Sequence, residues 1–460
     1  MPGRTRDGMV GVVICVGLLA AAGCRKAGPR RAPAPVTKPA ADPSAAPANG
    51  RVDATPPPAP AEPVGDARVI FVSPRGEDAA PGTESAPLKT IRAAVRASKP
   101  GEAIAVMAGT YGETVELPRS GEAGKPICLR ARGAVVIRPD GKGGGPAHGI
   151  VGRGVGHWVI EGFEITGHQQ GIKFKDGHDI TVRNCNVHDG ASGLALEGKI
   201  ATNITFEGIE VARHAGGGTD VSNPVAMENV TYRECVSHHN DCKEGADGFG
   251  ISHHCTTRNV IFENCVSHHN GSDGFDISGR KGYGVTLRSC VAHHNGTKMW
   301  GCNFKVWNPG SRIVNCVAYV TGDSADANFQ AIGAGTLVAH CTSGRNADAG
   351  IVVAGDDVRV VNCIIAHAKK KAVYVKPSVK AAPEILHCLV YECGSPGAVP
   401  VGEEGNIPGD PQFVDASGGD YRIARESAAA GAGAPPADVS KDAAGKARPA
   451  GARSIGAYEP

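Results

Sequence analysis

Aromatic residues and net charge are both scarce in this chain of 460 residues. Phe, Trp and Tyr together make up 5% of the sequence, and the formal net charge is only +2. So small a charge leaves no electrostatic basis for binding nucleic acid. Glycine and cysteine, in contrast, are plentiful, at 64 and 15 residues. This composition suits a core of small and β-branched side chains stacked in thin layers, with glycine at the corners.

The N-terminal region has no apolar run long enough for a comfortable membrane span. Residues 9–22 are apolar and follow the basic residues Arg4 and Arg6, which is the pattern of an export signal. The run ends in Ala-Ala-Gly-Cys at Cys24, which resembles a bacterial lipobox. We therefore predict that residues 1–24 are a lipoprotein signal peptide and that a lipid on Cys24 attaches the protein to a membrane. An ordinary secretory signal is the alternative.

The next segment, residues 25–66, is rich in proline and alanine and cannot bury a core. We predict a semi-rigid spacer there, a folded domain over residues 67–435 and a C-terminal tail over residues 436–460. The expected location is the cell envelope, in the periplasm or at the surface, or outside the cell if the protein is secreted.

From about residue 149 a four-residue phrase repeats: a small residue, an apolar one, a variable one and an apolar one. It begins at Gly149, Gly171, Gly193, Gly248, Gly274, Asn303, Asn328, Gly350 and Ala372. Subtracting these starting positions gives steps of 22, 22, 55, 26, 29, 25, 22 and 22 residues. The step of 55 is most simply two coils, and we place the missing strand near Val225, Ala226 and Met227.

A cysteine follows a short strand in the same rhythm. These cysteines are separated by 50, 30, 25, 26, 25, 22 and 25 residues, and they are Cys185, Cys235, Cys265, Cys290, Cys316, Cys341, Cys363 and Cys388. Two markers that share a period of about 20–30 residues indicate a solenoid. Short β-branched strands without helical periodicity exclude leucine-rich and helical repeats. The sequence therefore predicts an all-β fold, a parallel β-helix of about ten coils.

One cysteine per coil at one register should stack inward as a small apolar core residue. Exported proteins often use cysteine for disulfides, and sulfurs on neighbouring coils lie close enough for some bridging. A straight ladder offers no tetrahedral metal site. We therefore predict that this column belongs to the core.

The sequence His-His-Asn occurs at residues 238–240, 268–270 and 293–295, each time at the same offset after the cysteine strand. Its histidines suggest a metal site. The offset, however, places each triplet in a turn, where asparagine side chains satisfy backbone groups by stacking along the solenoid. We predict a structural turn in preference to a metal site.

Both ends of the solenoid have their own patterns. Thr90 begins a short amphipathic helix, with Ile91, Ala94 and Val95 on one face, and we expect this helix to cap the open end of the strand stack. Near the C-terminus, the Ala/Gly-rich stretch between residues 413 and 454 is expected to be loosely ordered.

The third residue of each phrase need not be apolar, so strand alternation points it outward on one face. In coil order this column consists of Lys173, Ala195, Ala226, Gly250, Asp276, Lys305, Gln330, Val352 and Tyr374. The residue before the phrase forms a second column, which contains Asp247 and Asp273. Three carboxylates on two neighbouring coils therefore share one face with a lysine on the third coil.

Three carboxylates this close repel one another unless a cation joins them, and hard oxygen ligands open to solvent suit Ca²⁺. A dication beside Lys305 would lower the pKa of its ammonium group toward that of a usable base. Such a pair suits β-elimination. The metal binds a uronate carboxylate, the lysine removes the proton α to it, and the 4-linked glycosidic oxygen leaves.

The segment from Asp247 to Lys305 resembles the family 9 polysaccharide lyases, which are pectate-lyase-like, right-handed parallel β-helices. The matching motifs are Asp-Gly-Phe at Asp247, Ser-Asp-Gly-Phe-Asp at residues 272–276 and Asn-Phe-Lys ending at Lys305. That family binds Ca²⁺ with four aspartates and uses a lysine as the Brønsted base. The resemblance implies Asp247, Asp273 and Asp276 as calcium ligands and Lys305 as the base.

One departure affects the implied metal site. Ser272 stands where the family has the first of two adjacent aspartates, so one carboxylate is missing. We expect weaker Ca²⁺ binding, with the Ser272 hydroxyl as a substitute ligand. Glu244, three residues before Asp247, is a second candidate to reach in. Trp307, two residues after the lysine, either alters the sugar-binding cleft or offers a platform for a pyranose ring.

We therefore predict a calcium-dependent lyase that acts on an acidic polysaccharide as a monomer, with no nucleic-acid partner. The alternative is a non-catalytic, carbohydrate-binding surface β-helix, in which the aspartates beside glycine are turn formers and Lys305 is a solvated charge. A uronan epimerase would need a second acid or base opposite Lys305. A glycoside hydrolase would need two suitably spaced carboxylates, which Asp273 and Asp276 do not exclude.

Overall fold

Short parallel strands make up most of the chain in this computed structural model. The structure describes residues 68–139, 147–221, 225–241, 245–279, 282–322, 326–434 and 439–460. The predicted signal peptide with Cys24, the spacer, Glu244 and the predicted boundary between residues 435 and 436 lie outside these ranges.

A single short helix, α1 (Ile91–Ala97), accompanies the strands. The N-terminal strands are β1 (Val69–Val72), β2 (Ala103–Tyr111), β3 (Val115–Leu117), β4 (Ile127–Ile137), β5 (Ile150–Arg153) and β6 (Gly156–Thr166). The strands of the regular coils are β7 (Gln170–Lys175), β8 (His178–Arg183), β9 (Asn186–His188), β10 (Ser192–Glu197), β11 (Ile200–Glu207), β12 (Glu210–Ala212), β13 (Gly217–Val221), β14 (Ala226–Arg233), β15 (Val236–His238), β16 (Phe249–Ile251), β17 (Thr256–Glu263), β18 (Val266–His268), β19 (Phe275–Ile277), β20 (Tyr283–Arg288), β21 (Val291–Asn295), β22 (Phe304–Val306), β23 (Arg312–Val314), β24 (Val317–Thr321), β25 (Ala327–Ala331), β26 (Leu337–Ala339), β27 (Thr342–Ser343), β28 (Ala349–Val353), β29 (Arg359–Val361), β30 (Ile364–Ala366) and β31 (Lys371–Val375). The C-terminal strands are β32 (Glu384–Leu386), β33 (Leu389–Tyr391), β34 (Ile407–Pro408), β35 (Phe413–Asp415) and β36 (Asp420–Ile423).

Each regular coil contributes one strand to each of three faces. One face is a parallel sheet of eleven strands in sequence order, which we call the front sheet: β3, β5, β7, β10, β13, β16, β19, β22, β25, β28 and β31. The other strands of each coil, such as β14 and β15 after β13, join a sheet of 23 strands that forms the other two faces. Eleven rungs agree with the predicted stack of about ten coils. The prediction of an all-β parallel β-helix is therefore confirmed.

The core is built from columns of identical side chains. One such column is formed by Phe249, Phe275, Phe304 and Phe329. The centroids of successive rings in it are 4.9, 4.9 and 5.0 Å apart. The predicted cysteine column is buried beside them, and none of the described cysteines is in a disulfide. The thiol of Cys265, for example, lies 3.3 Å from the carbonyl oxygen of Tyr232 on the coil before and donates to it. The predicted core role of this column is confirmed.

The turns before the front sheet require left-handed backbone. His239, His269 and His294 have φ angles of 52, 53 and 53°, a region where histidine and asparagine are enriched among residues other than glycine. The next residue of each triplet is a buried asparagine, and the side-chain amide of Asn240 donates to Oδ1 of Asn270 at 2.9 Å. The first two His-His-Asn triplets leave β15 and β18 in a turn, as predicted, whereas the third forms the end of β21 with the same left-handed residue at its centre.

Helix α1 covers the N-terminal end of the stack. The hydroxyl of Thr90 accepts the backbone N–H of Ala93 at 3.1 Å and caps the helix. Ile91, Ala94 and Val95 are buried, so the predicted capping helix is confirmed. Across the described ranges, we find no helix that combines the length and the apolar character needed to cross a membrane.

The described C-terminal segment packs against the solenoid, so the expected loose order was wrong there. Within that stretch Ala429 is fully buried, and Arg448 forms a buried ion pair with Glu459 at 2.6 Å. Arg448 also donates to Oδ1 of Asn315 at 2.9 Å. A segment rich in alanine and glycine cannot build a core, but its small side chains allow it to lie close to a coil that already has one.

Candidate active site

The front sheet carries polar residues in one register, which we call the polar row. Asp220 on β13 pairs with Gly250 on β16, which in turn pairs with Asp276 on β19. Asp276 then pairs with Lys305 on β22. Neighbouring strands lie about 4.8 Å apart. Asp276 and Lys305 are therefore direct neighbours on adjacent coils, as the repeat predicted.

Asp220 stands where we expected Ala226, and that placement was wrong. Ala226 begins β14, which pairs with β11 and β17 in the other sheet. The phrase of this coil is Gly-Thr-Asp-Val at residues 218–221, in which Thr219 replaces the usual apolar residue. A search for the apolar pattern misses it, although its spacing divides the step of 55 into coils of 25 and 30 residues. Sequence reasoning therefore missed one carboxylate of the row.

Lys305 lies between two carboxylates. Its Nζ atom is 3.0 Å from Oδ2 of Asp273 and 3.4 Å from Oδ2 of Asp276, and 23% of its side chain is exposed. Partial burial lowers the pKa of Lys305, but the attraction of Asp273 and then Asp276 outweighs it, so the pKa is raised above its ordinary value. We expected Lys305 to have a lowered pKa as a base, but the side chains around it do not lower its pKa. A lowered pKa requires a cation that takes over the charge of the carboxylates.

Asp273 and Asp247 form the inner part of the cluster. Asp273 is 3% exposed, and its Oδ1 accepts the backbone N–H of Cys302 at 2.5 Å. Oδ1 of the half-buried Asp247 accepts the backbone N–H of Asp273 at 3.0 Å. Burial is the main cause that raises the pKa of both carboxyl groups. Repulsion from Asp276 raises the pKa of Asp247 further, and repulsion from Asp247 does the same for Asp273. The charge of Lys305 lowers both pKa values, but it does not outweigh burial and the repulsion between the carboxylates.

Asp276 is oriented by two hydrogen-bond donors. Its Oδ1 accepts from Oγ of Ser278 at 2.5 Å and from Nε1 of Trp307 at 3.2 Å, while its Oδ2 faces Lys305. The Lys305 ammonium also lies 5.8 Å from the centroid of the Trp307 ring. Trp307 therefore positions both charged groups. The sequence pointed only to a role of Trp307 in the sugar-binding cleft.

Ser272 lies at the edge of the same cluster. Its side chain is hydrogen-bonded to the Asp247 carboxylate, which lowers the pKa of Asp247 against the larger effect of burial. Gly301 packs directly on Ser272, because a Cβ at this glycine would lie 2.6 Å from the Ser272 carbonyl carbon. The neighbouring Trp300 is 75% exposed. A large aromatic side chain is therefore exposed one residue before the glycine that packs on Ser272, and sequence reasoning did not single it out.

A cleft of about 370 Å³ opens beside the carboxylates. Asp220, Asp247 and Asp276 line it, and so does His253. Gly250 lies in the row between the first and the last of these aspartates and presents no side chain to the cleft. The described lining contains no lysine or arginine. An acidic polymer entering here would need cations to neutralise its charge.

The donor set suits a hard cation, but its atoms are not gathered at one point. Three carboxylates and the Ser272 hydroxyl supply only oxygen ligands, which Ca²⁺ prefers. Within the described ranges, two groups of three potential ligands converge to within 4.8 Å, and the carboxylate cluster is not one of them. One group consists of three histidines and the other of two histidines with Asp179. Here Lys305 occupies the space between Asp273 and Asp276. A cation would compete with the lysine for these two carboxylates.

The chain is similar to known pectate lyases in sequence. A family model described as a Pel9A-like, right-handed beta helix region matches residues 70–311. The chain is 31% identical to pectate lyase PEL9 of Emericella nidulans over 157 residues, which are 30% of this chain and 37% of that protein. It is 25% identical to pectate lyase L of Dickeya chrysanthemi over 198 residues, which are 40% of this chain and 41% of that protein. The chain thus spans about two fifths of the length of these curated relatives.

The fold is also similar to that of a solved pectate lyase. The crystal structure of pectate lyase Pel9A matches with a TM-score of 0.52 and 19% sequence identity, over 85% of this chain and 96% of that chain. At this identity the likeness concerns the fold alone. The segment that the family model matches contains the whole polar row, from Asp220 to Lys305.

Proposed function

Because the chain belongs to the Pel9A-like right-handed β-helix family, we propose that it is a calcium-dependent polysaccharide lyase that cleaves a pectate-like uronic-acid polymer by β-elimination. The observation that carries this proposal is the position of Lys305, 3.0 Å from Asp273 and 3.4 Å from Asp276 on the face that holds an acidic cleft. The similarity to two pectate lyases supports a carbohydrate-active enzyme.

In this proposal Asp247, Asp273 and Asp276, with the Ser272 hydroxyl, hold Ca²⁺. The bound ion would pair with a substrate carboxylate and make the proton α to it more acidic. The closeness of Asp247 to Asp273, whose backbone N–H it accepts at 3.0 Å, supports a cation at this position, because a positive charge relieves the repulsion between the carboxylates. The absence of lysine and arginine from the described cleft lining supports the same requirement.

Lys305 is the proposed base. Once its carboxylate partners are engaged, its ammonium group releases a proton to solvent, and the free amine takes the proton from C5 of the uronate. The electron pair of that C–H bond forms a double bond between C4 and C5. The bond from C4 to the glycosidic oxygen breaks, and the leaving oxygen takes a proton from water. Trp307 holds Asp276 in place during these steps through its 3.2 Å hydrogen bond.

A second candidate function is carbohydrate binding without catalysis. The raised pKa of Lys305 favours it, because an ammonium group held by Asp273 and Asp276 donates hydrogen bonds to a sugar but takes no proton. The exposed ring of Trp300 suits both functions, since a sugar ring can stack on it.

The test is to mix the full-length chain with polygalacturonate and calcium and to follow the ultraviolet absorbance of the unsaturated product. We expect a steady rise that a chelator stops and that added calcium restores. Polymer binding without a rise, over a panel of uronic-acid polymers, would support the binding function. New reducing ends without an absorbing product would indicate a hydrolase and overturn the lyase proposal.

We further propose that the protein acts as a monomer held at the cell envelope by a lipid on Cys24. The lipid attachment rests on the sequence around Cys24. Cys24→Ala should move the protein from the membrane fraction to the soluble fraction in its bacterial host, and an unchanged distribution would contradict it.

A further inference from the structure

Histidine rings form two stacked columns on the turns that lead into the front sheet. We call them the histidine cluster, and its members are His238, His239, His268, His269, His293 and His294. Along the first column, the rings of His238 and His268 are parallel within 4° with centroids 4.8 Å apart. Along the second, the rings of His239 and His269 are parallel within 1° at 5.0 Å. The turn geometry explains the backbone of these residues, but it does not require imidazole rings at both positions.

Within each coil the two rings face each other through a pair of nitrogens. Nδ1 of His238 lies 2.8 Å from Nδ1 of His239, and the rings are nearly perpendicular, at 87°. The equivalent atoms of His268 and His269 are 2.9 Å apart. At this distance one nitrogen donates a proton and the other offers a lone pair. Each coil therefore directs two ring nitrogens toward one point.

A carboxylate orients the first ring of the cluster. Oε1 of Glu210 lies 3.1 Å from Nε2 of His238 and accepts its N–H. This bond leaves Nδ1 of a neutral His238 with its lone pair toward His239. A carboxylate that accepts the outer N–H of a histidine is the usual support of a histidine metal ligand. Nearby, Arg213 is neutralised by a two-bond contact with Asp189, at 2.8 and 3.0 Å, so Glu210 provides the attraction for a cation.

A third nitrogen comes from the next coil. One potential ligand atom from each of His238, His239 and His268 lies within 4.8 Å of the others. His239 is exposed and the other two are half-buried, so an ion can enter from solvent. Zinc–nitrogen bonds of about 2.0–2.1 Å place tetrahedral ligand nitrogens roughly 3.3 Å apart. The pair at 2.8 Å would open by about 0.5 Å, and the His268 nitrogen, which lies within 4.8 Å of the other two, would move in toward the ion.

We propose that His238, His239 and His268 bind one divalent transition-metal ion of the Zn²⁺ class. Imidazole suits such ions, whereas the carboxylates of the front sheet suit Ca²⁺, so the two sites select different metals. The bound ion ties together two successive coils. These coils continue directly into Asp247 and Asp273, seven residues after Asn240 and three residues after Asn270. This metal site does not depend on the lyase proposal.

The test measures Zn²⁺ binding by equilibrium dialysis of the full-length chain. Exposed thiols are alkylated first, and excess Ca²⁺ is present to occupy the carboxylates. The test variant is His239→Asn, because asparagine tolerates the left-handed backbone of this turn. The matched control is His367→Asn. His367 also stands in a left-handed turn, with φ of 56° against 52° for His239, but its ring contacts Glu392 and Tyr391.

We expect a Zn²⁺ site whose affinity is at least about tenfold weaker in His239→Asn and unchanged in His367→Asn. Thermal unfolding provides the second measurement. Zn²⁺ should raise the Tm of the native chain but not that of His239→Asn, and the two should unfold alike without metal. The proposal would be overturned if the native chain bound no Zn²⁺ or if His239→Asn bound it as tightly as the native chain. An equal loss of affinity in His367→Asn would also overturn it. The cluster would then be a structural ladder of shared protons.

Discussion

Replacing Lys305 by arginine separates its charge from its proton chemistry. Arginine keeps a cation near Asp273 and Asp276, 3.0 and 3.4 Å from the present ammonium. Its pKa lies above about 12, so it cannot serve as a base. General-base catalysis typically contributes about 10²–10⁴-fold in rate, which corresponds to about 3–5 kcal/mol of activation free energy. We therefore expect kcat for the unsaturated product to fall by this factor while the free energy of unfolding stays nearly constant.

Lys305→Met removes the charge as well as the base. It should lose the same activity and also stability, by up to about 3 kcal/mol, because Asp273 is left buried without its partner. This loss should shrink as the pH is lowered, since the raised pKa of Asp273 lets it take up a proton early and so lose its charge. Urea unfolding at several pH values measures the effect.

The matched control is Lys173→Arg. Lys173 stands in the same outward column, and its Nζ lies 2.8 Å from Oε1 of Glu197, several coils before the cluster. We expect its kcat to be unchanged. Full activity in Lys305→Arg, or an equal loss in Lys173→Arg, would refute the assignment of Lys305 as the base.

Three further changes test the rest of the site. Ser272→Asp adds the carboxylate that the resembled family has, so the calcium concentration for half-maximal activity should fall about tenfold; an unchanged requirement would place Ser272 outside the metal site. Asp220→Asn lessens the repulsion between the cleft and an acidic polymer, so KM for polygalacturonate should fall, most strongly at low calcium, while kcat is preserved. A loss of kcat of about a hundredfold would instead make Asp220 part of the chemistry. Trp300→Ala removes a stacking platform and should raise KM about five- to tenfold, equivalent to about 1 kcal/mol. Tyr283→Ala, which removes a ring that is 72% exposed on β20 in the other sheet, serves as its control, and equal effects would contradict a specific platform.

The coil register could be predicted from the sequence because two markers recur in phase. The phrase places Phe275 and Ile277 inward and Asp276 outward, and the structure shows this alternation. The cysteine marker fixes the same period independently, since Cys265 is buried against the coil before. A solenoid repeats its side-chain directions from coil to coil, so a period in sequence becomes a column in space.

The contacts around the site could not be predicted in the same way. Asp220 escaped because Thr219 interrupts the apolar pattern of its coil. Trp300 escaped because it lies in a connection between coils, where length and path vary and no period constrains them. The repeat placed Asp276 beside Lys305, but it did not show that Lys305 also reaches Asp273 and is thereby held as an ammonium ion. Side-chain rotamers decide such contacts, and a repeat of positions does not determine rotamers.

The central claim is that the chain breaks a uronic-acid polymer by elimination. Mass spectrometry of the oligosaccharides released from polygalacturonate in the presence of calcium tests it most directly. Elimination forms a double bond without adding water, so each cleavage should leave one fragment with a new unsaturated end that is one water lighter than the hydrolysis product of the same length. We predict these lighter oligosaccharides from the native chain with calcium and their loss from Lys305→Arg. New oligosaccharides without any of these lighter products, or lighter products that persist in Lys305→Arg, would contradict the account.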